Sequence, residues 1–420
     1  MTDLLITDAR LLDPATGLDA RGDLLVRDGR ILDHGTNLGR PEGVTVLAAL
    51  GACLAPGLVD MRASLGEPGA EHCETISSAA QAAAAGGITT LCALPEHPLH
   101  DPALIEFMIR RGEATRSLTI LPYAAATRGP REIAEYGLLR EAGAVAFSDG
   151  TQTIAEARTM RLALSYARAF GCFVAQHPED PSLAAGGAAT EGERASRMGL
   201  PGIPAAAEAI QVARDIALAR LTGGHVHFSN ISTAAALGLI RAAKDAGLAV
   251  TADTAPPYFD LNETAIGDYR TYAKLTPPLR EDSDRLAVVA ALADGTLDAI
   301  ASDHTPRDPD DKRLPFAQAQ AGGTGLATLL AVTLARVHAG DLSLLAAVGL
   351  LTARPAALLG IAAGGLARGA AADLVLFDPE SAWQITSGKL SGKAQNTPFD
   401  GRPVEGRVIA TFKSGRRVFG

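Results

Sequence analysis

Seven short apolar runs, each followed by an alanine-rich stretch of helical character, constrain this chain more than any other feature. They are ITTLCALP, LTILPYAAA, GAVAFSD, CFVAQHP, HVHFSN, LAVTADT and LDAIASDH, and a further buried strand, GLVDM, precedes them. Short strands alternating with helices in one long segment imply βαβ units and a closed parallel barrel. In such a barrel the residues just past each strand's C-terminal end line one mouth, where chemistry sits.

The two ends of the chain read differently. Residues 3–54 alternate apolar runs with turn signals (LLITDARLLD, DLLVRDGRILDHG, VTVLAALGACLAPG), a pattern of antiparallel strands joined by Asp-Gly and His-Gly turns. The last segment, ADLVLFDP through GRRVFG, repeats that style with little helix. The expected fold is therefore an α/β protein, a (β/α)8 TIM barrel over residues 55–365. A small β-sandwich built from residues 1–54 and 366–420 completes it.

Composition excludes some roles. A net charge of -9 with no basic cluster argues against nucleic acid or an anionic membrane as partner. Cys53, Cys73, Cys92 and Cys172 show no CxxC spacing and read as reduced core thiols. The N-terminal MTDLLITDARLLDPATG lacks a basic region followed by a long apolar run, and no apolar stretch reaches spanning length. A soluble, cytoplasmic protein is expected.

Taken in order, APGLVDM, AAAAGGITTLCALP, GAVAFSDG, AQHPED, NISTAAALGLIRAAKDAGLAVTAD, KLTPPLR, DGTLDAIASDHTP, GAAADLVLFDP and NTPFDG cover nearly the whole length. In these motifs the chain resembles the amidohydrolase superfamily, and within it the dihydroorotases. The resemblance implies a zinc-bound hydroxide that opens or closes the cyclic amide of dihydroorotate, with an aspartate moving the proton.

Residue by residue, the resemblance is incomplete. The first strand of that family carries two metal-binding histidines at i and i+2; here those places hold Arg62 and Ser64. A guanidinium is permanently cationic and offers no lone pair to a metal. Downstream, a substrate-holding arginine is replaced by Gly66 in LGEPG, and an asparagine after Pro95 is replaced by Glu96. Asp149 in FSDG stands alone where the family has a bridging ligand. His177 keeps its place in AQHPED, Asn230 occupies the ligand position before Ser232-Thr233, and Asp303 in SDHTP is retained. Arg307 stands where a histidine is usual, and Ala327 where an acid is usual. The resemblance thus leaves His177, Asp303 and Asp149 as metal candidates, with Asp303 as general base if the chain is active. Arg62, Glu96 and Arg307 remain as altered pocket-lining residues.

Catalytic zinc takes three protein ligands and a water, so no cofactor is expected, or one zinc if a reduced site works. Arg62 either pairs with an acid, Glu96 or Asp303, or binds an anion together with Arg307 in a metabolite-sensing pocket. His225 and His227, spaced His-x-His on one strand, offer a relocated metal pair or an ordinary buried pair. HVHFSN and LPGIPAAAE further resemble the non-catalytic dihydroorotase-like chains found beside aspartate carbamoyltransferase in some bacteria. That resemblance implies an oligomer in which this chain is a structural partner of the carbamoyltransferase catalytic chain, in pyrimidine biosynthesis.

Overall fold

A computed structural model describes residues 3–94 and 97–420. Near the N-terminus, β1 (Leu4–Asp13) and β2 (Leu18–Arg27) form an antiparallel hairpin, and β3 (Arg30–Gly35) follows as another. Asp28 and Gly29, which join β2 to β3, have φ of 50° and 75°. That left-handed pair matches the right-handed twist of the flanking strands, as the Asp-Gly signal predicts.

The other expected turn is corrected. His34 and Gly35 lie within β3 opposite Leu24 and Asp23, and the chain then crosses over through residues 36–44. In consequence β4 (Thr45–Ala48) and β5 (Cys53–Pro56) pair with β1 in parallel, not antiparallel. A crossover reverses the strand direction that a tight turn would have produced.

From β5 the chain runs through Gly57 directly into β6 (Leu58–Ala63), the first of eight parallel strands. The others are β7 (Ile88–Ala93), β8 (Thr119–Ala124), β9 (Ala146–Ser148), β10 (Phe173–Gln176), β11 (His225–Phe228), β12 (Val250–Thr254) and β13 (Ala299–Ile300). Each pairs with its sequence neighbour, so the strand order follows the chain. The ring closes where Ala63 bridges His304 and Ser64 N donates to His304 O at 2.7 Å. Asp60 reinforces that closure, accepting from Ser302 N at 2.9 Å and Ser302 Oγ at 2.5 Å.

Strands of such a barrel are covered on both faces, which is why they read as continuous apolar runs. Val59, Met61, Cys92, Tyr123 and Phe173 fill the inner face with Ala356 and Leu359 of the helix Ala353–Leu359. The larger core lies between strands and helices. After the barrel, β14 (Leu374–Gln384) pairs antiparallel with β5, β15 (Pro403–Lys413) with β14, and β16 (Arg416–Phe419) with β15. Both chain ends thus share one eight-stranded sheet beside the barrel. All four cysteines are buried free thiols, and no helix among the described residues is long and apolar enough to cross a membrane.

Candidate functional site

At the barrel mouth, the end of β6 presents Arg62, and its Nε donates to Asp303 Oδ1 at 2.9 Å. Both side chains are buried, 4% and 8% exposed, so the pair is shielded from solvent. Of the two acids that sequence offered to Arg62, Asp303 is the partner; Glu96 lies outside the described residues. Asp303 has φ 50° and Asn230 φ 57°, the left-handed region that Asn and Asp tolerate best among non-glycine residues. Burial raises the Asp303 carboxyl above the usual carboxylate range, and the Arg62 charge pulls it back down. The Tyr258 hydroxyl lies 3.5 Å from Asp303 Oδ2 and donates to Pro277 O at 3.1 Å.

His177 sits past the end of β10, buried beneath the same mouth. Its Nε2 lies 3.4 Å from Thr276 Oγ1, while Nδ1 has no partner. Burial, then the charges of Arg62 and Arg280, push the imidazole down to about 3, so it is neutral at pH 7. The preceding Gln176 orients this strand end, accepting from Ile154 N at 3.1 Å and donating to Asp215 Oδ2 at 3.1 Å.

Burial pushes the Asp215 carboxyl up to about 6 against the pull of Arg214. The folded state therefore holds a proton that the unfolded chain releases near the ordinary value of 3.8. Its stabilising contribution is complete below that value and is lost as pH rises through about 6. Asp215→Asn lacks this loss. Its stability relative to the natural chain is expected to improve by up to about 3 kcal/mol between pH 4 and 6.5, read from urea midpoints at several pH values. A difference that stays flat with pH would refute a buried, raised carboxyl.

The remaining candidates are each engaged elsewhere. Asp149 accepts from Ala126 N at 2.9 Å, Thr127 N at 3.0 Å and Thr127 Oγ1 at 2.7 Å, so its carboxylate ties β9 to the segment after β8. Ser64 Oγ donates to Leu94 O at 3.1 Å. Asn230 N donates to Asp253 Oδ1 at 2.6 Å, and its buried side-chain amide stands beside Asp303, whose carboxyl it helps to hold down. Arg307, four residues after Asp303, turns its Nε to Ala321 O at 2.8 Å. His225 and His227 share one face, as alternation requires, and both meet Thr251 Oγ1, at 2.8 and 2.9 Å. His227 Nε2 also lies 3.1 Å from Asp253 Oδ2.

At Gly66 the backbone itself has closed in. Its φ is +72°, and a Cβ there would lie 2.1 Å from Glu74 O. Gly66→Arg, which restores the substrate arginine of the family phrase, is expected to lower stability by roughly 1–3 kcal/mol or more, read as a lower melting temperature. A variant as stable as the natural chain would show that the loop opens freely.

Sequence reading missed the carboxylate that supports this mouth from behind. Glu208, on the buried face of the helix Ala206–Thr222, accepts from the backbone N–H and hydroxyl of both Ser232 and Thr233. Arg280 Nε in turn donates to Ser232 Oγ at 3.1 Å. An acid in a helix's first turn facing inward was the one available signal.

These residues do not fit a catalytic zinc. Asp303 is bound to a guanidinium, Asp149 already accepts three hydrogen bonds, and of the three candidates His177 alone keeps an unpartnered atom, Nδ1. Among the described residues, the one group of three His, Cys, Asp or Glu side chains with ligand atoms within 4.8 Å of one another is His338, Glu380 and Glu405, exposed and outside the mouth. The cavity beside Asp303, bounded by Pro256, Pro257, Thr324 and Phe399, measures about 10 Å³. That is room for about one water, whereas small-molecule pockets ordinarily measure about 300–1,000 Å³.

Comparison with known proteins adds to this geometry. A family profile described as Dihydro-orotase-like matches residues 51–236. The dihydroorotase of Pelobacter propionicus is 42% identical over 421 residues, spanning 99% of each chain. That of Anaplasma phagocytophilum is 40% identical over 420 residues, 98% of this chain and 94% of its own. Among solved structures, the L-hydantoinase (dihydropyrimidinase) from Arthrobacter aurescens matches with a TM-score of 0.88 and 23% identity, covering 100% of this chain and 96% of its own. The dihydropyrimidinase from Brevibacillus agri matches at 0.83 and 23%, covering 99% and 95%. At such identities the solved structures speak to the fold alone, a barrel with an added sheet.

Proposed function

Because this chain belongs to the dihydroorotase family, we propose that it is a dihydroorotase-like protein of pyrimidine biosynthesis whose barrel has given up hydrolysis. Its role is then that of a structural partner to the catalytic chain of aspartate carbamoyltransferase, within a larger assembly. One observation carries the first half of the reading: a buried guanidinium, Arg62, holds the carboxylate of Asp303 at 2.9 Å. A divalent ion beside Asp303 would meet that fixed positive charge at close range, in a site where burial weakens screening. The small cavity beside Asp303 and the closed backbone at Gly66 support the same reading. The second half rests on the resemblance and on persistence of a full-length fold without a complete donor set.

A second reading, an active dihydroorotase or related cyclic amidohydrolase with one zinc, draws support from relatives named dihydroorotase at 40–42% identity. It requires Arg62 to leave Asp303 and a third ligand to join His177. Metal analysis of the purified chain, dihydroorotate turnover in both directions, and co-purification with the carbamoyltransferase of the same cell separate the two. The proposal expects substoichiometric zinc, no turnover and a stable complex. One zinc per chain with turnover would sink it; an inactive, metal-free chain that binds no carbamoyltransferase would sink the partnership alone.

A further inference from the structure

Away from the mouth, a cavity of about 770 Å³ opens between the sheet and the barrel. Its floor is apolar, with Leu330 and Ala331 from the helix Leu329–His338 on one side and Val408 from β15 on the other. Trp383, at the end of β14, forms a wall. Its Nε1–H donates to Gly406 O at 2.8 Å, so the ring is fixed in orientation and its polar atom is satisfied.

Among the described residues, Lys389 and Arg407 are the charged side chains that line this cavity. The Arg407 guanidinium carbon lies 5.9 Å from the Trp383 ring centroid. Lys389 belongs to the short turn Ser387–Lys389 at the rim. Among the described residues neither side chain takes part in a salt bridge, although the chain carries a net charge of -9. Positive charge left unpaired in an acidic chain, beside a fixed flat ring and an apolar floor, is complementary to one class of ligand.

We propose that this cavity binds a planar heteroaromatic anion. The ring of the ligand lies against Trp383 and the apolar floor, and its phosphate or carboxylate sits between Lys389 and Arg407. Guanidinium and indole together offer flat surfaces that favour a planar ring over a flexible acyl chain. The site is separate from the barrel mouth and does not depend on whether the mouth takes metal.

Trp383 is the only tryptophan in the chain, so its fluorescence reports on this cavity alone. The full chain would be titrated with uridine monophosphate, uridine and inorganic phosphate, at low and high salt. Expected is a saturable change in Trp383 emission with the nucleotide, with uridine at least ~10-fold weaker, as a lost charge-assisted contact implies. Lys389→Ala and Arg407→Ala, both at exposed positions, are each expected to raise the dissociation constant ~10-fold while melting like the natural chain. A change that inorganic phosphate reproduces by itself, an affinity untouched by both substitutions, or no saturable change at millimolar nucleotide would each overturn the proposal.

Discussion

Replacing Arg62 by methionine is expected to destabilise the protein by about 3–5 kcal/mol at neutral pH, because it strands a buried carboxylate. Asp303 would keep its burial and lose the guanidinium 2.9 Å away that now opposes the effect of that burial. Its carboxyl, already raised, would rise further. A raised acid contributes stability at low pH and loses it as pH climbs through the folded value. The penalty of Arg62→Met should therefore shrink as the buffer is made more acidic. Arg62→Met combined with Asp303→Asn should recover much of the loss, since replacing both members of a buried pair by neutral groups is often close to neutral. Urea midpoints of the four proteins give the coupling. Additive effects would mean that the pair does not hold in solution. A chelator supplies the companion test. If Arg62 rather than a metal neutralises Asp303, prolonged treatment with EDTA leaves the melting temperature of the natural chain unchanged, whereas a zinc enzyme would lose stability with its ion.

The barrel was legible because its strands are buried on both faces, so each reads as an uninterrupted apolar run between helices. Even β13, only two residues long, was marked by LDAIASDH. Pairing direction in the small sheet was less legible. The signal at His34-Gly35 resembles a turn locally, yet the direction of β4 and β5 is set by a nine-residue crossover whose path depends on distant contacts. The same division holds at the mouth. Residue type revealed that Arg62 cannot bind a metal and offered Glu96 or Asp303 as its partner, and the structure pairs it with Asp303, 241 positions away. Alternation placed His225 and His227 on one face, but only the fold shows Thr251 and Asp253 satisfying them. Gly66 read as a missing side chain, whereas the structure gives a backbone reason, the close approach of Glu74 O. Asp149 illustrates the limit most clearly. With one residue fewer than the family motif, its spacing did not decide whether it bridges a metal, and only the fold shows the three hydrogen bonds it accepts.

Glu208→Ala is expected to cost more than any of the surface or loop changes, on the order of 4–6 kcal/mol, because it removes one acceptor that serves four donors. In the natural chain the Glu208 oxygens receive Ser232 Oγ at 2.6 Å, Thr233 Oγ1 at 2.7 Å, Thr233 N at 2.9 Å and Ser232 N at 3.1 Å. All these residues are buried, so water cannot easily take over. Two of the donors are rotatable hydroxyls that can turn toward other acceptors; the two backbone N–H groups have no such freedom. Thr233 also caps the helix Ala234–Asp245 through its side chain, which accepts from Ala236 N, and the cap would lose its fixed orientation. Arg280 would keep Ser232 Oγ as a partner while a nearby negative charge disappears. Glu208→Gln keeps one good acceptor but turns an amide N–H₂ toward the remaining donors, so an intermediate loss is expected. Urea unfolding of the three proteins orders them, natural chain above Gln above Ala. If Glu208→Ala stays within about 1 kcal/mol of the natural chain, the four hydrogen bonds do not carry the support of the mouth. The strand end at Asn230 would then need another anchor, for which Asp253, bound to Asn230 N at 2.6 Å, is the next residue to substitute.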